Sequence, residues 1–211
     1  IYYIHRIEKG LTHESDFRAG FGKNALQSLH DLLQQWRTAR YPTTDTTYQA
    51  ALSVVMAYIE KHRQEHQPLP AFLTALFPME ECEEPRSDNT IAGVKLVTAE
   101  EKRDNKDKSF KELFQGRTSI RQYAKDPVDL DMVRKAIDLA MKTPSVCNRQ
   151  SYRITLIDAP DRIRKILTVQ GGWRGYAYPP VLAVITSDVR SFIYMEEHNE
   201  PFVDGGIFTM S

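Results

Sequence analysis

Hydrophobic periodicity changes character partway along this chain, and that change constrains the fold more than any other feature. Before about residue 78 the apolar pattern repeats at helical spacing. Leu26, Leu29, Leu32, Leu33 and Trp36 form one stripe, which predicts an amphipathic helix over about 24–37. Tyr41-Pro42-Thr43-Thr44-Asp45 breaks it. Ala51, Leu52, Val55, Tyr58 and Ile59 share one face of a second helix over about 46–65. Pro68 and Pro70 end that helix, and 71–77 adds one short apolar turn or two. No strand pattern occurs here, so 1–78 reads as an all-helical region.

From 109 onward the element types alternate. A short helix starts at 109–114. Asp129 is a candidate N-cap for a helix over about 130–142, with Met132, Val133, Ala136, Ile137 and Ala140 inward and Pro144 stopping it. Residues 153–157 read as a strand. Asp161 is expected to cap a helix that Gly171-Gly172 terminates. The continuous apolar run at 181–186 predicts a strand buried on both faces. Asp204 is expected to cap a last helix. Helices alternating with strands imply a sheet covered by helices, an α+β arrangement. Between the two regions, 79–108 reads as a charged linker. Glu80, Glu81, Glu83 and Glu84 form an acidic clump, the stretch from Lys102 to Lys108 is almost entirely charged or polar, and only 91–97 has strand character. Such a composition buries too little surface to offset chain entropy.

Charge narrows the function classes. Lys and Arg total 28, and so do Asp and Glu. A general polyanion binder needs a basic surplus, so nucleic acid is not an expected partner. Apolar residues make up 41 % of the chain, the content of a globular protein with polar loops. Two cysteines cannot build a disulfide framework. No apolar run reaches the ~18 residues of a membrane span, and no signal peptide is visible. The expected setting is cytoplasmic. The chain starts at Ile1 without Met and stops within a helical pattern, so it reads as a fragment.

Two polar strings carry chemistry. In Arg117-Thr118-Ser119-Ile120-Arg121, two arginines at i and i+4 flank a pair of hydroxyls. Arginine grips phosphate through a planar fork of donors, and Thr and Ser add neutral donors. The segment follows an expected helix end at Gly116. A solvated basic loop accounts for the same residues. In Pro144-Ser145-Val146-Cys147-Asn148-Arg149-Gln150-Ser151-Tyr152, between a helix and a strand, Asn and Gln offer donors and acceptors suited to a heteroaromatic edge. An ordinary polar connection is the alternative.

Taken together, Arg117…Arg121 followed by Pro-Ser-x-x-Asn-x-Gln at 144–150 resembles the nitroreductase family of FMN-dependent oxidoreductases. That family carries Arg-Arg-Ser-x-Arg and then Pro-Ser-x-x-Asn-x-Gln-Pro-Trp. Here Thr118 replaces the second Arg, and Ser151-Tyr152 replaces Pro-Trp. The later order is also similar, with an apolar strand, Ser187-Asp188, and then Asp204-Gly205-Gly206. The resemblance covers about 109–211. It implies an α-β-α sandwich preceded by the helical region, built as a homodimer with FMN at the interface. By matching position, Arg117, Thr118, Ser119 and Arg121 would hold the phosphate and ribityl tail. Pro144, Ser145, Asn148 and Gln150 would approach the isoalloxazine ring. The family's late basic residue near the phosphate lies beyond this chain, so the C-terminal part of the flavin domain is read as missing. NAD(P)H as donor and a small organic electron acceptor complete the implied reaction, with no side chain named as catalytic.

Other features have plainer readings. His62-Arg63-Gln64-Glu65-His66 matches the inverted zinc-protease pattern, but Gln67-Pro68 follows at once. It reads as a solvated helix end, and no metal is expected. Gly20 and Gly22 around Phe21 suggest a tight turn with an anchored ring, a packing role. Cys147 reads as an incidental thiol. Trp173-Arg174 either covers a flavin or substrate or anchors its own loop. The alternative to an enzyme is a non-catalytic flavin-binding or protein-interaction module that keeps the fold.

Overall fold

The computed structural model describes residues 1–13, 17–78, 91–102 and 105–211. The acidic clump at 80–84 and most of the predicted linker's first half lie outside the described residues. The chain forms two compact units, Ile1–Arg117 and Thr118–Ser211. Among the described residues, no helix is long and apolar enough to cross a membrane.

The described residues of the first unit form helices and no strand, as the periodicity of 1–78 predicts for that stretch; the short helix at 110–116, expected with the second region, falls in this unit. Its helices are α1 (Tyr2–Leu11), α2 (Lys23–Thr38), α3 (Thr46–Gln64), α4 (Ala71–Leu76), α5 (Ala99–Lys102) and α6 (Phe110–Gly116). Asp45 caps α3 by accepting from the Thr47 N–H at 2.7 Å. Ser109 and Glu112 close a reciprocal capping box on α6, which ends at Gly116 as expected. Ile7, Leu26, Val54, Val55, Tyr58 and Leu73 are buried in one core shared by the first four helices. Sequence reading missed α1: it has no side-chain cap, and its buried stripe is only Ile4, Ile7 and Leu11.

Residues 91–97 form no strand. Side chains of α1 and α3 meet backbone groups of Ala92 and Gly93 instead. Ser53 Oγ donates to the Ala92 carbonyl at 3.0 Å, and the Gly93 N–H donates to Glu8 Oε1 at 3.1 Å. Met by side chains, these groups need no strand ladder.

His62 is also placed differently from expectation. It is fully buried rather than solvated. Nε2 accepts from the Gly20 N–H at 3.1 Å, and Nδ1 lies 3.0 Å from the Tyr58 carbonyl. The tautomer protonated at Nδ1 satisfies both bonds, which leaves neither ring nitrogen for a metal. Sequence spacing cannot reveal a bond to Gly20, 42 residues away. The Gly20–Gly22 turn behaves as predicted. Both glycines have positive φ, +76° and +72°. Phe21 between them packs on Tyr58 at 4.7 Å and on His62 at 6.4 Å. Tyr58 donates its hydroxyl to the Phe21 carbonyl at 2.8 Å, and burial pushes its phenol above the usual range.

The second unit is α+β. Its elements are α7 (Leu130–Ala140), β1 (Tyr152–Ile157), α8 (Pro160–Gln170), β2 (Leu182–Ser187) and α9 (Glu200–Met210). The strands pair antiparallel, with Tyr152 opposite Ser187 and Ile157 opposite Leu182. Helix α9 packs on both, and Phe208 meets the Tyr152 ring at 4.5 Å.

Several expectations about this unit are corrected. β2 is not buried on both faces; its residues are partly covered or exposed, and among the described residues α9 is the helix that packs substantially on it. Asp129 does cap α7, accepting from the Asp131 and Met132 N–H groups. The stripe expected to point inward is not buried, however: Met132 is 67 % exposed and Ala136 is exposed. Between α7 and β1 lies a 360 Å³ groove lined by Ile137, Ile154 and Leu156, with Arg134 and Asp138 beside them. Asp161 is not an N-cap. Helix α8 starts one residue earlier with Pro160 in its first turn, and Asp161 pairs with Arg164 at 3.1 Å. Gly171 ends α8 in the left-handed region at φ 74°, as predicted. Asp204 lies inside α9, which begins at Glu200.

One close approach in the first unit yields a prediction. A Cβ on Gly10 would stand 2.0 Å from Cε2 of Phe21. That ring is held by Tyr58 and His62, so it cannot swing aside freely. Gly10→Ala is expected to destabilise the chain by about 1–3 kcal/mol through overpacking, read as a lower urea midpoint.

Candidate functional site

The first predicted string emerges from the end of α6. Arg117 follows the helix in extended conformation, with φ −67° and ψ 127°. Thr118 opens the second unit. Its hydroxyl Oγ1 is shielded from solvent and has no hydrogen-bond partner among the described residues. Ser119 is exposed. Arg121 is half-buried, its guanidinium 5.9 Å from the centre of the Tyr176 ring. A cation over an aromatic face restricts where that side chain can point. Tyr123 stacks on Trp173 at 6.1 Å, and Trp173 Nε1 donates to the Ala177 carbonyl at 2.9 Å. Trp173 therefore anchors its own loop and braces the arginine-bearing segment.

The second string is a tight, unusual turn. Cys147, Asn148 and Gln150 have φ of 49°, 54° and 49°. Each non-glycine residue held in the left-handed region costs about 1–3 kcal/mol, and such strain concentrates at functional sites. Local bonds hold the turn. Ser145 Oγ accepts from the Gln150 N–H at 2.9 Å, and Gln150 Nε2 donates to Asn148 Oδ1 at 2.9 Å. That second bond leaves the Asn148 amide nitrogen as donor and the Gln150 Oε1 as acceptor. Both side chains are exposed, so together they offer a donor and an acceptor to solvent or a ligand. Pro144 is exposed and Ser145 half-buried. Cys147 is exposed with a free thiol.

Two acidic residues from the later part of the unit hold this turn, and sequence reading assigned neither to it. Glu197 pairs with Arg149 at 2.9 Å and also accepts from the Ile193 and Tyr194 N–H groups. The Arg149 guanidinium lies 5.6 Å from the Phe192 ring centre. Asp204, 3 % exposed, accepts from the Val146 N–H with both oxygens at 3.2 Å. No local pattern marks Glu197. For Asp204 a signal existed: a lone carboxylate among Pro201, Phe202, Val203, Ile207 and Phe208 in an otherwise apolar stretch.

Within the second unit, no hydrogen bond, ion pair or ring contact among the described residues joins 118–121 to 144–150. Each string is anchored separately, the first to the Trp173–Tyr176 loop and the second to Glu197 and Asp204. Among the described residues, no three His, Cys, Asp or Glu side chains cluster as metal ligands.

Comparison with known proteins gives a consistent picture. Residues 114–187 match the model of the nitroreductase family, a stretch that includes both strings. A curated protein from Thermus thermophilus named NADH dehydrogenase is 31 % identical over 90 residues, 42 % of this chain and 44 % of that protein. The chain thus spans less than half the length of the curated relative it matches. No solved structure matches the chain.

The Arg149–Glu197 pair makes the turn sensitive to acid. The Arg149 guanidinium, and next the Ile193 N–H, hold the Glu197 carboxyl down from 4.5 to about 2. A lowered folded-state value stabilises the chain above the unfolded value, and the gain is lost as pH falls through the folded one. The pair's contribution is therefore expected to be whole above pH 4.5 and to vanish as pH falls to about 2. Urea midpoints of wild type and Glu197→Gln, followed across that range, should differ near neutrality and converge in acid.

Proposed function

We propose that this chain, whose residues 114–187 belong to the nitroreductase family, is part of an FMN-dependent oxidoreductase that passes electrons from NAD(P)H to a small organic acceptor. The observation that carries the reading is the Thr118 hydroxyl, shielded from water and unpartnered among the described residues, between Arg117 and Arg121 in sequence. A buried polar group left without a partner is costly, and a ligand oxygen would relieve that cost. Arginine and hydroxyl donors suit the phosphate and ribityl oxygens of FMN, so the residues present fit the group.

In this reading Arg117, Thr118, Ser119 and Arg121 hold the phosphate-bearing tail. Pro144, Ser145, Asn148 and Gln150 meet the ring, with the free Asn148 donor and Gln150 acceptor fitting adjacent C=O and N–H groups. Bound there, FMN supplies hydride acceptance from NAD(P)H and onward electron transfer. Positive charge from the arginines and the Asn148 donor favour an electron-rich ring. NADH as one donor draws support from the name of the Thermus thermophilus relative.

The proposal extends to an α-β-α sandwich working as a homodimer in the cytoplasm, with flavin at the subunit interface. Its support is the apolar surface of the second unit. Leu139, Ile193, Met195 and Phe202 are each more than three-quarters exposed, and exposed apolar side chains gathered on a small unit mark association surfaces.

The test is the visible spectrum of the full chain after addition of FMN, with affinity read from flavin fluorescence. Uptake is expected. Thr118→Val should weaken it two- to tenfold, the worth of a neutral hydrogen bond of about 0.5–1.5 kcal/mol. Arg121→Ala should weaken it roughly ten- to a hundredfold, because bonds to charged groups are worth about 1.5–3 kcal/mol. A colourless chain that takes up no FMN overturns the reading. Bound flavin that NAD(P)H never reduces favours a non-catalytic flavin-binding module.

A further inference from the structure

Asp204 is a buried carboxylate with a single partner. It lies on the covered face of α9 with Pro201 and Phe208, and Phe208 seats that face on the Tyr152 ring. No Lys, Arg or His side chain pairs with it among the described residues. Both of its oxygens are directed at one group, the Val146 N–H, 58 residues away in sequence. A carboxylate taken out of water is expensive to keep. Here it neither caps its helix nor forms an ion pair. Its effect falls entirely on the residue that opens the left-handed turn at 147–150.

We propose that Asp204 is a positioning residue: through the Val146 N–H it locks the turn that presents Asn148 and Gln150 side by side. The geometry runs in order along the backbone. Asp204 fixes Val146. Cys147 and Asn148 then adopt positive φ, and so does Gln150, whose N–H closes back on Ser145 Oγ. Only in that closed turn does Gln150 Nε2 reach Asn148 Oδ1, which frees one donor and one acceptor for a ligand. Without an acceptor at Asp204 the Val146 N–H would lie unpaired against α9, and the turn would relax toward ordinary φ values. The positioning itself rests on geometry alone. Its consequence for flavin rests on the reading given under Proposed function.

The experiment compares Asp204→Asn with Asp204→Leu in the full chain. Asparagine keeps an acceptor oxygen at the same place, and leucine removes it. The first readout uses no flavin: amide hydrogen exchange at Val146 and Gln150. Protection should persist in Asp204→Asn and fall at least tenfold in Asp204→Leu while the rest of the second unit stays protected. The second readout is FMN affinity, expected within about threefold of wild type for Asp204→Asn and weakened tenfold or more for Asp204→Leu. Unchanged protection at both amides in a folded Asp204→Leu overturns the proposal. So does a folded Asp204→Asn that loses protection at Val146, and this outcome remains decisive should Asp204→Leu fail to fold. If the exchange pattern is as expected but no protein, wild type included, takes up FMN, the positioning stands and the flavin reading fails.

Discussion

One buried carboxylate facing one backbone N–H ties the second unit together. Asp204 lies on the same helix face as Phe208, and Phe208 lies on Tyr152 at the start of β1. The contact that seats α9 on the sheet therefore also delivers an acceptor to Val146. Burying that charge against a neutral donor costs free energy, and so does each left-handed residue in the turn beyond it. Packing of α9 against both strands must offset these costs. The turn is consequently only as well defined as the helix docking. A change in the core around Phe208 would reach Asn148 and Gln150 without touching them.

The two units handle burial in opposite ways. The first closes its core and pairs its fully buried polar side chains: His62 bridges Gly20 and Tyr58, Tyr58 reaches the Phe21 carbonyl, and Ser53 holds Ala92. The second buries few large apolar side chains, chiefly Tyr152, Ile163, Leu167 and Phe208. A two-stranded sheet is marginal by itself in water. Its apolar residues on α7 and around Ile193 remain open, as in a protein that completes its core by association. These open side chains are what the proposed homodimer would cover; the first unit exposes Leu96, Phe110 and Phe114 as well.

What the sequence revealed was local, and what it concealed was long-range. Helices α2 and α3 were legible because their stripes and the Pro42–Asp45 break are written within a few turns. Asp129 and Gly171 announced the ends of α7 and α8 through cap chemistry that acts over two or three residues. β1 and β2 were found within a residue of their ends, but 181–186 looked doubly buried because hydropathy records a preference for burial, not the layers available to provide it. His62 was misjudged since its neighbours are polar and its partner is a glycine 42 residues earlier. The left-handed turn was invisible: Cys, Asn and Gln there carry no glycine signal, and the groups that hold them come from 197 and 204. The residue types of the proposed site were thus readable from motif, while the local arrangement of each string was not.

The two strings of the site differ in their readiness for a ligand. The turn at 144–150 spends most of its polar groups on itself, through Ser145 Oγ, the Asn148–Gln150 bond and the two later carboxylates. Its remaining donor and acceptor are fixed before any ligand arrives, so little ordering entropy is lost when they are used. At 118–121 the opposite holds. Among the described residues, the Thr118 hydroxyl is buried without a partner, and Arg121 is guided by an aromatic face rather than fixed by a carboxylate. In the proposed reading, an anion bringing several acceptor oxygens would supply what both groups lack. For the flavin proposed above, the rigid donor–acceptor pair would meet the ring, and the unfilled demand for anionic oxygen would meet the phosphate.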